Sequence, residues 1–158
     1  MTSPRFPLRI NIGFLVHQQI GIYRDIHFDF PELHLHPDFD LQSFSGGVHL
    51  SRTPQGVMVQ GDFQGSAKME CVRCLTEFTQ PLHTQLYELF AFNARSVTES
   101  DLIVPDDGNI DLAPLVREYM LLEVPIRPMC REDCKGLCIV CCADLNLEAC
   151  EHQRRIAI

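Results

Sequence analysis

The stretch Gly56-Val-Met-Val-Gln-Gly-Asp-Phe-Gln-Gly-Ser-Ala-Lys-Met-Glu-Cys-Val-Arg-Cys74 decides the fold. Its odd positions Val57, Val59, Phe63, Ala67, Met69 and Cys71 are apolar, the period of a strand that buries one face. Gly61 and Gly65 fall where a bulge or a closely approaching backbone would sit. After Cys74 the alternation resumes on even positions, Phe78, Leu82, Leu86 and Phe90. Two long strands that change phase across Cys71-Val-Arg-Cys74 predict an antiparallel hairpin with the two cysteines at its tip.

Upstream, Leu8, Ile10, Ile12 and Phe14 alternate and predict a first strand over Leu8 to Phe14. Gly21 permits a bend, and Tyr23 to Phe30 alternates again until Pro31, which should stop it. Glu32 to Phe44 shows no stable period and reads as loop or short irregular strand. Gly46 to Thr53 leads to a turn at Pro54-Gln-Gly56. Downstream, Asn93 to Asn109 is a polar, acidic connector. Ile110 to Glu123 then places Leu112, Leu115, Val116, Tyr119 and Leu122 at helical spacing, with Asp111 as cap and Pro114 tolerated in the first turn. Pro125 and Pro128 end the helix. These elements predict an α+β, mainly β body over residues 1–123, with an antiparallel sheet or partly open barrel and one covering helix. A cysteine-rich metal-binding appendage follows over 124–158.

That appendage holds Cys130, Cys134, Cys138, Cys141, Cys142 and Cys150, six of the eight cysteines in the chain. So few aliphatic residues lie between the sulfurs that burial cannot offset the entropy of ordering the segment, and a metal is expected to hold it. Cys138 and Cys141 form a C-x-x-C pair, which brings two thiolates to one tetrahedral ion. Their partners are Cys130 and Cys134 upstream, or Cys150 with His152 downstream. The expectation is a structural four-cysteine Zn²⁺ site drawn from Cys130, Cys134, Cys138, Cys141 and Cys150, worth on the order of 10 kcal/mol to a short segment. Cys71 and Cys74 could join that ion, bind another metal, or act as a redox pair. A thioredoxin-type pair belongs at a helix N-terminus, whereas here the flanks read as strands.

At 158 residues, with 46% hydrophobic composition, the chain is the size of one globular domain with a small appendage. The first ten residues lack the apolar core of a secretory signal, and the longest apolar run, Leu137 to Ala143, is too short to span a bilayer. A cytoplasmic location follows as the expectation, where clustered cysteines bind metal more often than they form disulfides. The net charge of −8 argues against a broad phosphate-binding face. Acidic residues outnumber basic ones 16 to 8 over residues 1–123, whereas 124–158 carries five of each. Arg127, Arg131, Lys135, Arg154 and Arg155 are therefore the candidate contacts to RNA or a partner. Four zinc-bound thiolates would add two net negative charges there, which weakens a direct RNA contact.

The seven histidines are scattered; His34 and His36 share a face if extended, and read as a solvated pair. No Gly-rich phosphate loop, nucleophile elbow or H-E-x-x-H pattern occurs, so no catalytic residue is assigned.

Several motifs converge on one family. Gly56-Val-Met-Val-Gln-Gly61, Cys71-Val-Arg-Cys74-Leu-Thr-Glu-Phe78, Ile110-Asp-Leu through Leu121-Leu-Glu-Val-Pro-Ile126, and Cys134-Lys-Gly-Leu-Cys138-Ile-Val-Cys141 with Asn146 beyond it occur in that family's order. The chain thus resembles the large ribosomal RNA subunit accumulation, or YceD-like, family. The resemblance implies a non-enzymatic accessory factor in ribosome biogenesis, with ribosomal RNA or large-subunit assembly proteins as partners and neither a membrane nor a small-molecule substrate. It also implies a metal that stabilises a variable appendage. This sequence departs from the family pattern at Cys142, where glycine is usual, at Ile139, where proline is common, and at His152, where a further cysteine is frequent. A thiol-redox or metal-dependent enzyme using Cys71 and Cys74, and a zinc-stabilised interaction module unrelated to ribosomes, are the alternatives.

Overall fold

A computed structural model of the chain describes residues 6–152. The described chain is mainly β. The elements are β1 (Arg9–Asn11), α1 (Gly13–Val16), β2 (Tyr23–Leu35), β3 (Phe39–Arg52), β4 (Gly56–Glu70), β5 (Glu77–Ala91), β6 (Asn109–Asp111) and α2 (Ala113–Leu122). β2 to β5 form an antiparallel, open four-stranded sheet in chain order, and β1 pairs with β6 as a second, two-stranded sheet. Two compact units result. One is made of the residues up to Ser66 with Pro81–Glu123, and the other of Ala67–Gln80 with the residues from Val124 onward.

The core of the first unit is the face that alternation marked out. Val57, Val59 and Phe63 on β4 and Leu82, Leu86 and Phe90 on β5 are buried, as are Phe44, Val48 and Leu50 on β3. Phe44 and Phe63 stack with centroids 5.4 Å apart, and Phe28 and Phe30 extend the aromatic row. Gly61 is required by this packing, because a Cβ there would stand 2.6 Å from the Phe63 ring. At Gly61 the nearest neighbour is thus a ring, whereas at Gly56, where β4 begins, a Cβ would run into the Phe90 backbone carbonyl oxygen.

Three expectations are corrected. The strand expected over Leu8 to Phe14 is only three residues long, and Gly13–Val16 turn into α1. Leu8, Ile10, Ile12 and Leu15 are all buried, so the apolar spacing reported burial across a strand-to-helix change. Pro31 does not end β2. The strand runs on to Leu35 at the edge of the sheet, where a missing N–H removes no necessary ladder bond. Glu32 to Phe44 is not a loop but the end of β2, a turn, and the start of β3. Its period was hidden by a bulge: the β3–β4 register shifts between Gln42 and Ser45, so the buried positions pass from Phe39 and Leu41 to Phe44, Val48 and Leu50.

The helix begins at Ala113, one residue after the start that an Asp111 cap implies, and Asn109–Asp111 pair with β1. Asp111 Oδ1 accepts the Ala113 N–H at 3.0 Å, although Leu112 holds the cap position. Leu112, Val116 and Met120 form the buried stripe, while Leu122 is 76% exposed. One buried carboxylate, Glu88 on β5, accepts hydrogen bonds from Tyr119 Oη at 2.8 Å and Ser100 Oγ at 2.6 Å. The hydrogen bond to Glu88, then burial, push the Tyr119 phenol up to about 12.

Replacing Phe63 by alanine should destabilise the protein by about 3–5 kcal/mol, whereas Leu122→Ala should change stability by less than about 0.5 kcal/mol; urea unfolding distinguishes them. Tyr119 is an acid whose folded pKa lies above its unfolded one, so its contribution is whole below the unfolded value and is lost as pH rises towards 12. Absorbance titration of tyrosine should find this high midpoint, and Glu88→Gln should lower it.

Candidate metal centres

The two cysteines at the hairpin tip sit on a tight turn. Cys71 N–H donates to Thr76 O at 3.0 Å, and Leu75 N–H donates back to Cys71 O at 2.9 Å. Leu75 thereby takes φ 61°, a left-handed conformation unusual for a branched side chain. The tail is anchored to this turn by two backbone hydrogen bonds and one from a side chain. Val72 N–H donates to Pro128 O at 2.9 Å, Leu137 N–H to Arg73 O at 3.1 Å, and Arg73 Nη1 to Cys134 O at 2.7 Å. Gly136 has φ 75° and its missing Cβ would stand 3.0 Å from Arg73 O, so the glycine of Lys135-Gly-Leu137 is fixed by this approach.

These contacts gather Cys71, Cys74, Cys130 and Cys134, whose sulfurs all lie within 4.8 Å of one another. The Cys71–Cys134 and Cys74–Cys130 sulfur separations are 3.8 and 3.7 Å. Four sulfurs around one ion at the usual Zn–S bond of about 2.3 Å would be about 3.8 Å apart, whereas a disulfide would be about 2.05 Å. The donor set and its spacing therefore fit a divalent thiophilic ion. Cys71, Cys74 and Cys134 are buried, with Phe78, Met129 and Leu137 packed against them. Backbone N–H groups, that of Cys130 foremost, draw the Cys71 thiol down to about 6, and burial beside the other thiols pushes Cys130 up to about 12.

A second group consists of Cys138, Cys141, Cys150 and His152, again within 4.8 Å of one another. Cys150 Sγ lies 3.6 Å from Cys138 Sγ, 3.3 Å from Cys141 Sγ and 3.1 Å from His152 Nδ1. The turn is closed by Cys142 N–H donating to Cys138 O at 2.9 Å, and Cys138 N–H donates to Ala143 O at 2.8 Å. Backbone N–H groups of Cys141 and Val140 hold the Cys138 thiol at about 6. Asn146 links the groups along the tail: its Oδ1 accepts the Lys135 N–H at 2.8 Å, and its Nδ2 donates to Cys134 Sγ at 3.5 Å. Both groups could hold a metal ion.

The five cysteines from which one four-ligand site was expected to be drawn are divided between two groups. Cys130 and Cys134 join Cys71 and Cys74, while Cys138, Cys141 and Cys150 join His152. Sequence spacing could not reveal the first set, because nearly sixty residues separate its halves. His152, frequently a cysteine in the family pattern, keeps a donor at its position. Cys142 belongs to neither group; it is exposed and takes φ 59° where glycine would be unstrained. Of the candidate cationic contacts, Arg127, Arg131 and Lys135 are exposed, and Arg131 Nε lies 3.4 Å from Asp133. Arg154 and Arg155 lie outside the described residues. His34 is paired with Asp40 at 2.5 Å on the exposed sheet edge.

A model of the family described as Large ribosomal RNA subunit accumulation protein YceD matches residues 59–156, more than half of the chain. An uncharacterised protein of Mycobacterium leprae is 37% identical over 105 residues, covering 64% of this chain and 48% of that protein. The Bacillus subtilis protein YlbN is 32% identical over 78 residues, 48% of this chain and 45% of its own. An Arabidopsis thaliana protein named Large ribosomal RNA subunit accumulation protein YCED homolog 1, chloroplastic, is 36% identical over 50 residues, 32% of this chain and 16% of its own. The chain spans about half the length of the mycobacterial relatives it matches. No solved structure matches.

Glycine at position 142 should relieve the left-handed strain. Cys142→Gly is expected to raise stability by about 1 kcal/mol and Cys142→Val to lower it by at least as much, read by denaturant unfolding under reducing conditions.

Proposed function

The chain belongs to the large ribosomal RNA subunit accumulation protein YceD family, and from that membership we propose that it is a non-enzymatic accessory factor supporting accumulation of large-subunit ribosomal RNA and ribosome biogenesis, with structural Zn²⁺. The observation that carries the reading is the extent of the match. Residues 59–156 take in the hairpin, α2 and every cysteine of both groups. The thiolate-rich donor sets favour Zn²⁺, a borderline-soft ion that carries no redox chemistry of its own.

The acidic body supports a role through protein contacts or a local RNA contact, not a broad phosphate grip. Arg127, Arg131 and Lys135, with Arg154 and Arg155, are the side chains assigned to that contact. Ribosomal RNA or large-subunit assembly proteins are its partners, with no small-molecule substrate. Among the described residues no helix is long and apolar enough to cross a membrane; the site of action assigned is the cytoplasm, where ribosomes assemble. Thiol-redox catalysis is disfavoured by the setting of Cys71, which is fully buried at a strand-to-strand turn and surrounded by three other thiols.

Depletion of the protein should lower large-subunit relative to small-subunit ribosomal RNA. Affinity capture of the tagged chain from its own cells should recover large-subunit RNA or large-subunit proteins. Recovery of neither, with an unchanged RNA ratio, would overturn the reading and leave the interaction module without a ribosomal connection.

A further inference from the structure

The two C-x-x-C turns are backbone twins. In Cys71-Val-Arg-Cys74-Leu75, the fifth residue donates its N–H to the carbonyl of the first at 2.9 Å and has φ 61°. In Cys138-Ile-Val-Cys141-Cys142, the fifth residue does the same at 2.9 Å with φ 59°. Neither fifth residue is glycine, so both turns keep a conformation that costs about 1 kcal/mol or more. Nothing in local propensity favours that turn for leucine and cysteine. Its result is to point two sulfurs towards one place, and in each case two further donors stand opposite. For Cys138 the turn also brings the Val140 N–H to Sγ at 3.4 Å, a hydrogen bond suited to thiolate.

We propose that the second unit binds two separate metal ions, one held by Cys71, Cys74, Cys130 and Cys134 and the other by Cys138, Cys141, Cys150 and His152. The inference rests on reading the cysteine groups as metal sites and is independent of any ribosomal role. Two pairs of opposed donors per ion make closed, four-coordinate sites without an open position, which suits structural zinc or another thiophilic divalent cation. The four-thiolate site carries two net negative charges, and the three-thiolate, one-imidazole site carries one. The Arg73 guanidinium at the Cys134 carbonyl and the Asn146 amide at Cys134 Sγ offset charge at the first site.

The two ions differ in exposure. Cys71, Cys74 and Cys134 are buried at the first site, whereas Cys141 is exposed and Cys150 and His152 are half-buried at the second. A chelator reaches the second ion first. The first ion joins the hairpin turn to a tail segment distant in sequence, whereas the second closes a short local loop. The second site is therefore the one that can be emptied while the other persists.

Native mass spectrometry and elemental analysis of the full chain, purified reduced from zinc-supplemented cells, should give two zinc ions per chain. Release to a colorimetric chelator should be biphasic, with one equivalent in the fast phase. Cys141→Ser with His152→Ala should retain one ion and lose the fast phase. His152→Cys should keep two ions and increase the sulfur-to-metal charge-transfer absorbance of the Co²⁺-substituted protein. This last variant remains informative if the deletions fail to fold. One ion per chain, or two ions retained by the double variant, would overturn the two-ion proposal while leaving a metal site in place. No bound metal would overturn the metal reading as well, without bearing on recovery of ribosomal RNA.

Discussion

The antiparallel pairing of β4 with β5 is the constraint on which the rest depends. A long alternating strand has only one choice of face once its apolar residues are buried, and its partner must follow in register. The two strands supply Val57, Val59, Phe63, Leu82, Leu86 and Phe90 to the core of the first unit, and the turn between them carries Cys71 and Cys74 of the second. A slip of one residue in β4 would turn Phe63 to solvent, so burial of the first unit's core is set by this one alternation.

How much of this was legible from the residues differs by element. The β4–β5 hairpin was, because fifteen-residue strands give the period room to declare itself. β3 was not, because a bulge near Ser43 changes the phase midway and two short patterns of opposite sense look like none. The helix was legible as an element and in part of its buried face: spacing marked Leu112 and Val116, which are buried, but also admitted the exposed Leu122 and missed Met120. The candidate sites follow the same logic. Cys138 and Cys141 announce themselves by spacing; that Cys130 and Cys134 meet Cys71 and Cys74 depends on a tertiary approach carried by Val72, Arg73 and Gly136. The expectation of a cysteine-rich tail over 124–158 thus took in the second group, whereas half of the first group comes from the hairpin turn.

The charge of the molecule acquires a different meaning once the thiolates are counted with the side chains. Arg73 lies beside the first sulfur group, its guanidinium donating to Cys134 O, and is therefore not wholly free for phosphate, whereas Lys135 meets Asn146 only through its backbone N–H and its side chain is exposed. With a net charge of −8, weak general affinity for nucleic acid is the physical expectation.

The separation in sequence between Cys74 and Cys130 bears on how the protein must be made. Contacts between residues so far apart form slowly, because the entropy of closing the long loop between them is lost before the contact repays it. Until residues 130–134 have been synthesised and brought to the hairpin tip, Cys71 and Cys74 are two reactive thiols on an emerging strand pair, open to oxidation or to a wrong ion. Bringing the two pairs together thus closes the long loop between Cys74 and Cys130, an entropic cost that the contacts within the second unit must offset.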